Sequence, residues 1–358
     1  MSNQKIKLGV IGAGANTRSK HIPEFQNIED VEIIGVANRS IESSKKVAEE
    51  FNIPNVYNSW QELLASPDID AVCIGTWPYM HEILVTEALN ENKHVLTEAR
   101  MSMDTAQARN MLDASYLKPD LVTQIVPAPF IDTIEMTILD LINNDYIGDI
   151  LAADLSGIPN FAANSASQGF IDNTARFMWR NDRDLSGYNI MLMGAWYECL
   201  MRLLGPAISV TAITRVYNKQ RLTSANSRKI TTVPDHVEIL SEMASGALAH
   251  IRASEITGFD QEEQLWIFGS KGTLLGTGFE NYTSGKLFGG QKGDKNLKEI
   301  QIEDAKKGYW RVEQEFVNAI KGTEKVSHTT FEDGVKYMEF TEAVTRSSQN
   351  RQTIALPL

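Results

Sequence analysis

The stretch Gly9-Val-Ile-Gly12-Ala-Gly14-Ala-Asn-Thr17 constrains this chain more than any other. It ends an apolar segment, IKLGVIG, and opens a helix-compatible one. Gly12 permits a tight turn there, and Gly14 lets a phosphate approach backbone N–H groups at a helix start. Two such glycines alone are a weak signal, so the surrounding rhythm decides. Up to residue 126, apolar strand-like runs (VEIIGVAN, AVCIGT, HVLTE, LVTQIVP) alternate with helix-like ones (SIESSKKVAEEF, NSWQELLA, HEILVTEALNEN, DTAQARNMLDASY). Strands apolar on both faces and separated by helices predict a doubly wound parallel sheet of the Rossmann type. Within it, Gly12, Gly14, Ala15 and Asn16 are expected to cradle a dinucleotide. Thr17 stands in the third glycine's place.

The end of the second strand selects between dinucleotides. A carboxylate there would bind the adenosine 2′-hydroxyl and favour NAD. This chain has Asn38-Arg39-Ser40 instead, with an arginine and a hydroxyl available to a 2′-phosphate, so NADP is favoured. NAD stays open, since asparagine also serves a ribose hydroxyl.

Beyond PAPF at 127–130 the pattern changes. One helix, IDTIEMTILDLINN, precedes a series of strand-like runs: ILAADLSG, SVTAITRVYN, VEILSEMASG, ALAHIRASEI, QLWIFGS, GTLLGTG and KLFGG. That succession predicts an α+β domain over 127–358 with an open, largely antiparallel sheet, against a dinucleotide-binding domain over 1–126. The two prolines of PAPF fix the backbone between them.

The charge of −12 and pI near 5.1 argue against nucleic acid and anionic membranes as partners. No run approaches the roughly 20 apolar residues of a membrane span. The two cysteines, Cys73 and Cys199, sit in apolar runs without metal-ligand spacing, which predicts reduced core thiols, no metal and a cytoplasmic location.

Five stretches in order, GVIGAGAN, IGTWPYMH, HVLTEAR, WRNDRDLSG and IFGSKGTL, together resemble the Gfo/Idh/MocA family. The resemblance spans nearly the whole chain. It implies a Rossmann domain followed by a domain whose open sheet covers the nicotinamide and often forms an oligomer interface, hence a homodimer or homotetramer. It implies oxidation or reduction of sugars, inositols and related polyols, with a branch that cleaves glycosides through transient oxidation. By the same resemblance Thr76 and His81 lie along the cofactor, Trp77 walls its nicotinamide side, and Trp179-Arg180 form a pair near the nicotinamide. Arg180 after Trp179 is equally the spacing of a stacked surface pair.

The resemblance also exposes a gap. Where the family carries Glu-Lys-Pro after its fifth strand, this chain has Glu98-Ala99-Arg100, and Leu192 and Trp196 stand where an aspartate and a histidine are expected. Glu98 is left to approach the nicotinamide ribose, but the usual proton-carrying groups are absent. A positioned base contributes about 10²–10⁴-fold to alcohol oxidation, so a replacement is required or the site does different work. Candidates are Tyr197, with its pKa lowered by the charge of Arg100, and His236 at the start of a strand. Tyr188, Asn189, Asp182 and Arg183 are nearby polar groups. The competing expectations are that Tyr197 bonds within the core, that His236 is a satisfied strand-end residue, that Arg100 pairs with Asp104, and that Glu198 pairs with Arg202. The preferred function is an NAD(P)-dependent oxidoreductase of a carbohydrate-like small molecule. The alternatives are redox-neutral glycoside cleavage and cofactor binding without catalysis.

Overall fold

The computed structural model describes residues 5–157, 169–172, 174–259, 263–279 and 284–358. The first segment builds a six-stranded sheet from β1 (Ile6–Ile11), α1 (Ile22–Gln26), β2 (Val31–Ala37), α2 (Ile41–Phe51), β3 (Asn55–Val56), α3 (Trp60–Leu64), β4 (Ala71–Ile74), α4 (His81–Asn90), β5 (His94–Thr97), α5 (Thr105–Tyr116) and β6 (Thr123–Ile125). All pairings are parallel, in the order β3-β2-β1-β4-β5-β6. Strands β1 and β4 are apolar on both faces because helices cover both, the condition under which a parallel sheet is stable. Ser40, Ser59 and Asp104 cap α2, α3 and α5 by accepting a backbone N–H with their side chains.

The chain then forms α6 (Asp132–Asn143), β7 (Ile150–Ser156), α7 (Arg183–Ser186), α8 (Met193–Leu204), β8 (Ala207–Arg215), β9 (Gln220–Leu222), β10 (Arg228–Ile230), β11 (His236–Met243), β12 (Leu248–Ser254), β13 (Gln264–Gly269), β14 (Gly272–Thr277), β15 (Lys286–Gln291) and β16 (Lys298–Ile300). Helices α9 (Val312–Ile320) and α10 (Phe331–Asn350) and the short β17 (Ile354–Ala355) follow. The second sheet has nine strands in the order β16-β15-β14-β13-β7-β12-β11-β8-β17. It is antiparallel except where β12 runs parallel to β7. The hairpin of β9 and β10 and the strand β16 lie outside the runs expected from sequence. Among the described residues no helix is long and apolar enough to cross a membrane.

The chain divides into two compact units, Met1–Pro127 with Arg311–Met338, and Ala128–Trp310 with Glu339–Leu358. The change from one unit to the other falls one residue past the expected boundary, but the segment that returns at 311 differs from a simple two-part division. Its residues complete the core of the dinucleotide-type unit. Phe316 meets Phe25 edge-on at 6.5 Å, Tyr337 accepts the Met101 N–H at 2.5 Å, and Thr329 and Ile125 exchange backbone hydrogen bonds.

In the second unit, α8 holds Ala128, the residue between the two prolines. Glu198 accepts the Ala128 N–H at 3.2 Å, while Arg202 donates to the Ala128 carbonyl at 2.9 Å. Arg202 also pairs with Glu135 at 3.0 Å, and with Glu198 and Asp132 at 3.5 Å each. The helix ion pair expected from spacing is thus present, with a further job of gripping both backbone polar groups of one residue.

Candidate active site

The strand order reverses between β1 and β4, the position at which an open parallel sheet leaves a crevice beyond its strand ends. A cleft of about 550 Å³ occupies that place. Its wall is formed by Gly12 to Gly14, by Asn38, Arg39, Ser40 and Ser43, by residues 58–61, and by Gly75, Thr76, Trp77, Tyr79 and Met80.

Each glycine at the turn has a separate reason. Gly12 has φ +81°, and a Cβ there would come within 2.5 Å of Thr76 Cγ2. Thr17 is accommodated because its neighbour is Gly75, where a Cβ would lie 2.0 Å from the Thr17 hydroxyl. The room that a third glycine would give is supplied from β4. Gly14 differs: a Cβ there would meet only the Gly75 carbonyl, at an ordinary 3.5 Å. The protein itself therefore does not require glycine at 14; what the missing side chain keeps clear is the cleft. That space, the exposed backbone of the turn, and a buried Thr76 hydroxyl oxygen with no partner among the described residues fit a dinucleotide.

At the end of β2 the three expected residues divide their work. Asn38 accepts the Ala13 N–H at 2.7 Å and donates to Ser43 at 3.1 Å, so it ties β2 to the glycine turn. Ser40 caps α2. Arg39 is exposed on the cleft wall and makes no hydrogen bond or ion pair with a described residue, and the wall carries no carboxylate.

His81 does not reach the cleft wall, contrary to its expected place along a cofactor. It is fully buried, with Nε2 3.0 Å from the Thr76 carbonyl and Nδ1 3.1 Å from the carbonyls of Arg100 and Met101. Burial lowers its pKa, and it braces the ends of β4 and β5 from beneath. Trp77 does line the cleft, edge-on to Tyr79 at 6.5 Å.

Glu98, at the end of β5, is directed into a polar cluster that sequence reading missed. Asn16 donates to its Oε1 at 2.5 Å, and the Ala99 N–H donates to Oε2 at 3.1 Å. His21 lies between two carboxylates, with Nε2 3.1 Å from Glu98 and Nδ1 2.6 Å from Glu313. Burial opposes a charge on His21, but the hydrogen bonds to Glu313 and Glu98 outweigh it and raise the pKa to about 9. Burial likewise opposes ionisation of Glu98, and the His21 bond and charge outweigh it, bringing the carboxyl to about 2. Asn16 thus faces Glu98, while Ala15 is exposed at the start of the helix.

Several expected catalytic groups are corrected. Tyr197 is a core residue: its hydroxyl accepts the Ala207 N–H at 2.9 Å and its ring stacks on Phe340 at 3.6 Å. Burial raises its pKa, the opposite of what a proton carrier near neutrality needs. Arg100, expected to act on Tyr197 through its charge, is buried, and burial with no charge effect from Arg100 sets the pKa of Tyr197. His236 is a partnered strand-end residue, with Nδ1 2.9 Å from Ser254 Oγ and its ring against Tyr217. The Arg180 guanidinium lies 4.2 Å over the Trp179 ring, the stacked-pair arrangement. Asp182 caps α7 and pairs with Lys229 at 2.6 Å. Arg183 lies 5.3 Å from the Tyr188 ring, and Asn189 donates to the Ser186 carbonyl at 2.6 Å.

Where the resemblance expects an aspartate and a histidine, Leu192 and Trp196 are buried. Trp196 stacks on Phe130 at 4.4 Å and meets Phe279 edge-on at 5.5 Å. The position is filled by aromatic packing. Cys73 and Cys199 are buried free thiols, and burial raises both pKa values.

Comparison with known proteins follows the same outline. An uncharacterized oxidoreductase of Synechocystis is 24% identical over 278 residues, covering 75% of this chain and 71% of that protein. An inositol 2-dehydrogenase/D-chiro-inositol 3-dehydrogenase of Lacticaseibacillus casei is 29% identical over 172 residues, 47% of this chain and 49% of its own. Among solved structures, levoglucosan dehydrogenase in complex with NADH and L-sorbose superimposes with a TM-score of 0.82 at 18% identity, covering 99% of each chain. An oxidoreductase domain protein from Kribbella flavida gives 0.81 at 20% identity, covering 99% of this chain and all of that one. At such identities the structures establish a shared fold. Residues 6–123 match the model of an oxidoreductase family with an NAD-binding Rossmann fold, and residues 140–356 match its C-terminal alpha/beta domain. With both halves matched, the chain belongs to the Gfo/Idh/MocA family of oxidoreductases.

Proposed function

We propose that this chain is an NADP-preferring oxidoreductase, able to use NAD, that acts on a sugar, sugar acid or polyol. The observation that carries the coenzyme assignment is the cleft at the strand-order reversal, kept open by Gly14. A bound coenzyme would supply the hydride acceptor or donor. The N–H groups of Gly12, Ala13 and Gly14 are spent on holding the turn, so Gly14 would let the pyrophosphate approach and the backbone of Ala15 and Asn16 at the start of the helix would bind it. Arg39, uncommitted and with no carboxylate on the same wall, would bind a 2′-phosphate. Trp77 and Thr76 would flank the nicotinamide side. The substrate class draws support from relatives named inositol 2-dehydrogenase and levoglucosan dehydrogenase.

The proton carrier in this reading is non-standard, and Tyr197 is not retained for it. Trp179 and Arg180 remain part of the proposal as a pair near the nicotinamide. A homodimer or homotetramer, and a cytoplasmic location, belong to the same reading. The aromatic cluster of Phe130, Trp196 and Phe279 favours one competing reading, a coenzyme-binding protein without turnover. A panel of polyols, aldoses and sugar acids, assayed with NADP and NAD, separates the two. Net NAD(P)H formation with any member supports the oxidoreductase. Coenzyme binding with no turnover across the panel supports the second reading.

A further inference from the structure

His21 and Glu313 are separated by 292 positions in sequence, yet their side chains meet at 2.6 Å in a fully buried place. Two features of the chain bring them together. The helix that leaves the glycine turn begins with a π-helical turn over Thr17–His21, a local widening that is rare and often found at functional sites. Glu313 lies in the first turn of α9, whose N-terminal dipole favours a carboxylate. His21 then reaches Glu98 with its other nitrogen, and Glu98 reaches Asn16, two residues past Gly14. A neutral imidazole has only one N–H, so donating to both carboxylates requires the imidazolium. The other ionisable groups turned to this cluster are the Cys73 thiol from β4, kept protonated by burial and then by the charges of Glu98 and Glu313, and His81 from α4, kept neutral chiefly by burial against the smaller pull of Glu98.

We propose that His21 is a positioning residue of the coenzyme site, an imidazolium that fixes Glu98 as a carboxylate against the start of the first helix through a Glu313–His21–Glu98–Asn16 chain. The proposal rests on the coenzyme assignment above and extends it to two residues outside the cleft. Loss of the His21 proton leaves two facing carboxylates without their bridge and makes the surroundings of an anionic coenzyme more negative. Both effects weaken binding.

The test is a fluorescence titration of the full chain with NADH and NADPH between pH 6 and pH 10, for wild type, His21→Gln and Glu313→Gln. Wild type should bind with a constant Kd up to pH 8 and lose about tenfold in affinity toward pH 10. His21→Gln should bind about tenfold more weakly at pH 7 and show no inflection near pH 9. Glu313→Gln retains the imidazole but removes one carboxylate, so its inflection should move to lower pH; it also carries the test if His21→Gln does not fold. Wild-type affinity and an unchanged inflection in either variant would overturn the role of His21. Failure of wild type to bind either coenzyme at any pH would instead remove the coenzyme assignment, and this role with it.

Discussion

Arg39 lines the cleft with its guanidinium committed to no other described residue, which is why the proposed function gives it a 2′-phosphate to bind. Arg39→Ala is expected to weaken NADPH binding by about 1.5–3 kcal/mol, the worth of a charge-assisted hydrogen bond, with much less effect on NADH. Equal losses for the two coenzymes, measured by titration, would contradict that role. At this scale the sequence was partly legible. The glycine turn and the place of Arg39 on the cleft wall could be read because they depend on a few adjacent positions. Asn38 was identified as part of the site, but its bond to Ala13 depends on how β2 lies beside the turn, which adjacent residues do not encode. Tyr197 was misread for a related reason. A phenol on an all-apolar helix is compatible with a pocket or a core, and only the stack with Phe340 decides.

At the scale of elements, the buried ion pair between His21, in the turn that leads into α1, and Glu98, just past β5, should govern stability against pH. Free imidazole titrates near 6.5, whereas His21 holds its proton to about 9 in the folded chain. Its contribution is full below pH 6.5 and is lost as pH rises through 9. Glu98 is depressed from 4.5 to about 2, so its contribution is full above pH 4.5 and is lost as pH falls toward 2. The two shifts describe one interaction and are counted once. Urea unfolding should therefore show a loss of about 3 kcal/mol between pH 6 and pH 10, absent in His21→Gln. The same pH dependence in that variant would assign the effect to other groups. Helix α8 supplies a second test. Arg202→Ala leaves Glu135, Glu198 and the Ala128 carbonyl without their cation, and should cost about 3–5 kcal/mol in thermal or urea unfolding. A loss under about 1 kcal/mol would mean that the cluster is hydrated rather than load-carrying. The i, i+4 spacing of Glu198 and Arg202 announced the pair; its grip on Ala128 required the loop to be in place.

For the whole molecule, the self-association proposed above can be tested on the exposed side chains of the nine-stranded sheet. Leu240 and Leu248 are more than half exposed on neighbouring strands, and Trp266 stacks on Phe268 farther across the sheet. The same face carries the His250, Asp154 and Glu238 ion cluster, so apolar and charged groups are mixed on it. If the proposed oligomer forms through this face, Leu240→Lys with Leu248→Lys reduces the mass measured by light scattering to that of one chain, whereas an unchanged oligomer would place the interface elsewhere. The division into two sheet types was readable because strand periodicity differs between parallel and antiparallel sheets. The return of 311–338 to the first unit was not, since an amphipathic helix shows that it has a buried face but not which sheet will bury it. That return is also what places Glu313 beside His21. The central claim is that the cleft beyond β1 and β4 binds a nicotinamide dinucleotide, and equilibrium titration with NADPH and NADH, read by quenching of protein fluorescence from Trp60 and Trp77, tests it most directly. Saturable binding of both, tighter for NADPH, and weakened when Gly14→Val fills the space that Gly14 keeps clear, is the predicted result; no binding of either coenzyme, or binding indifferent to Gly14→Val, would contradict it.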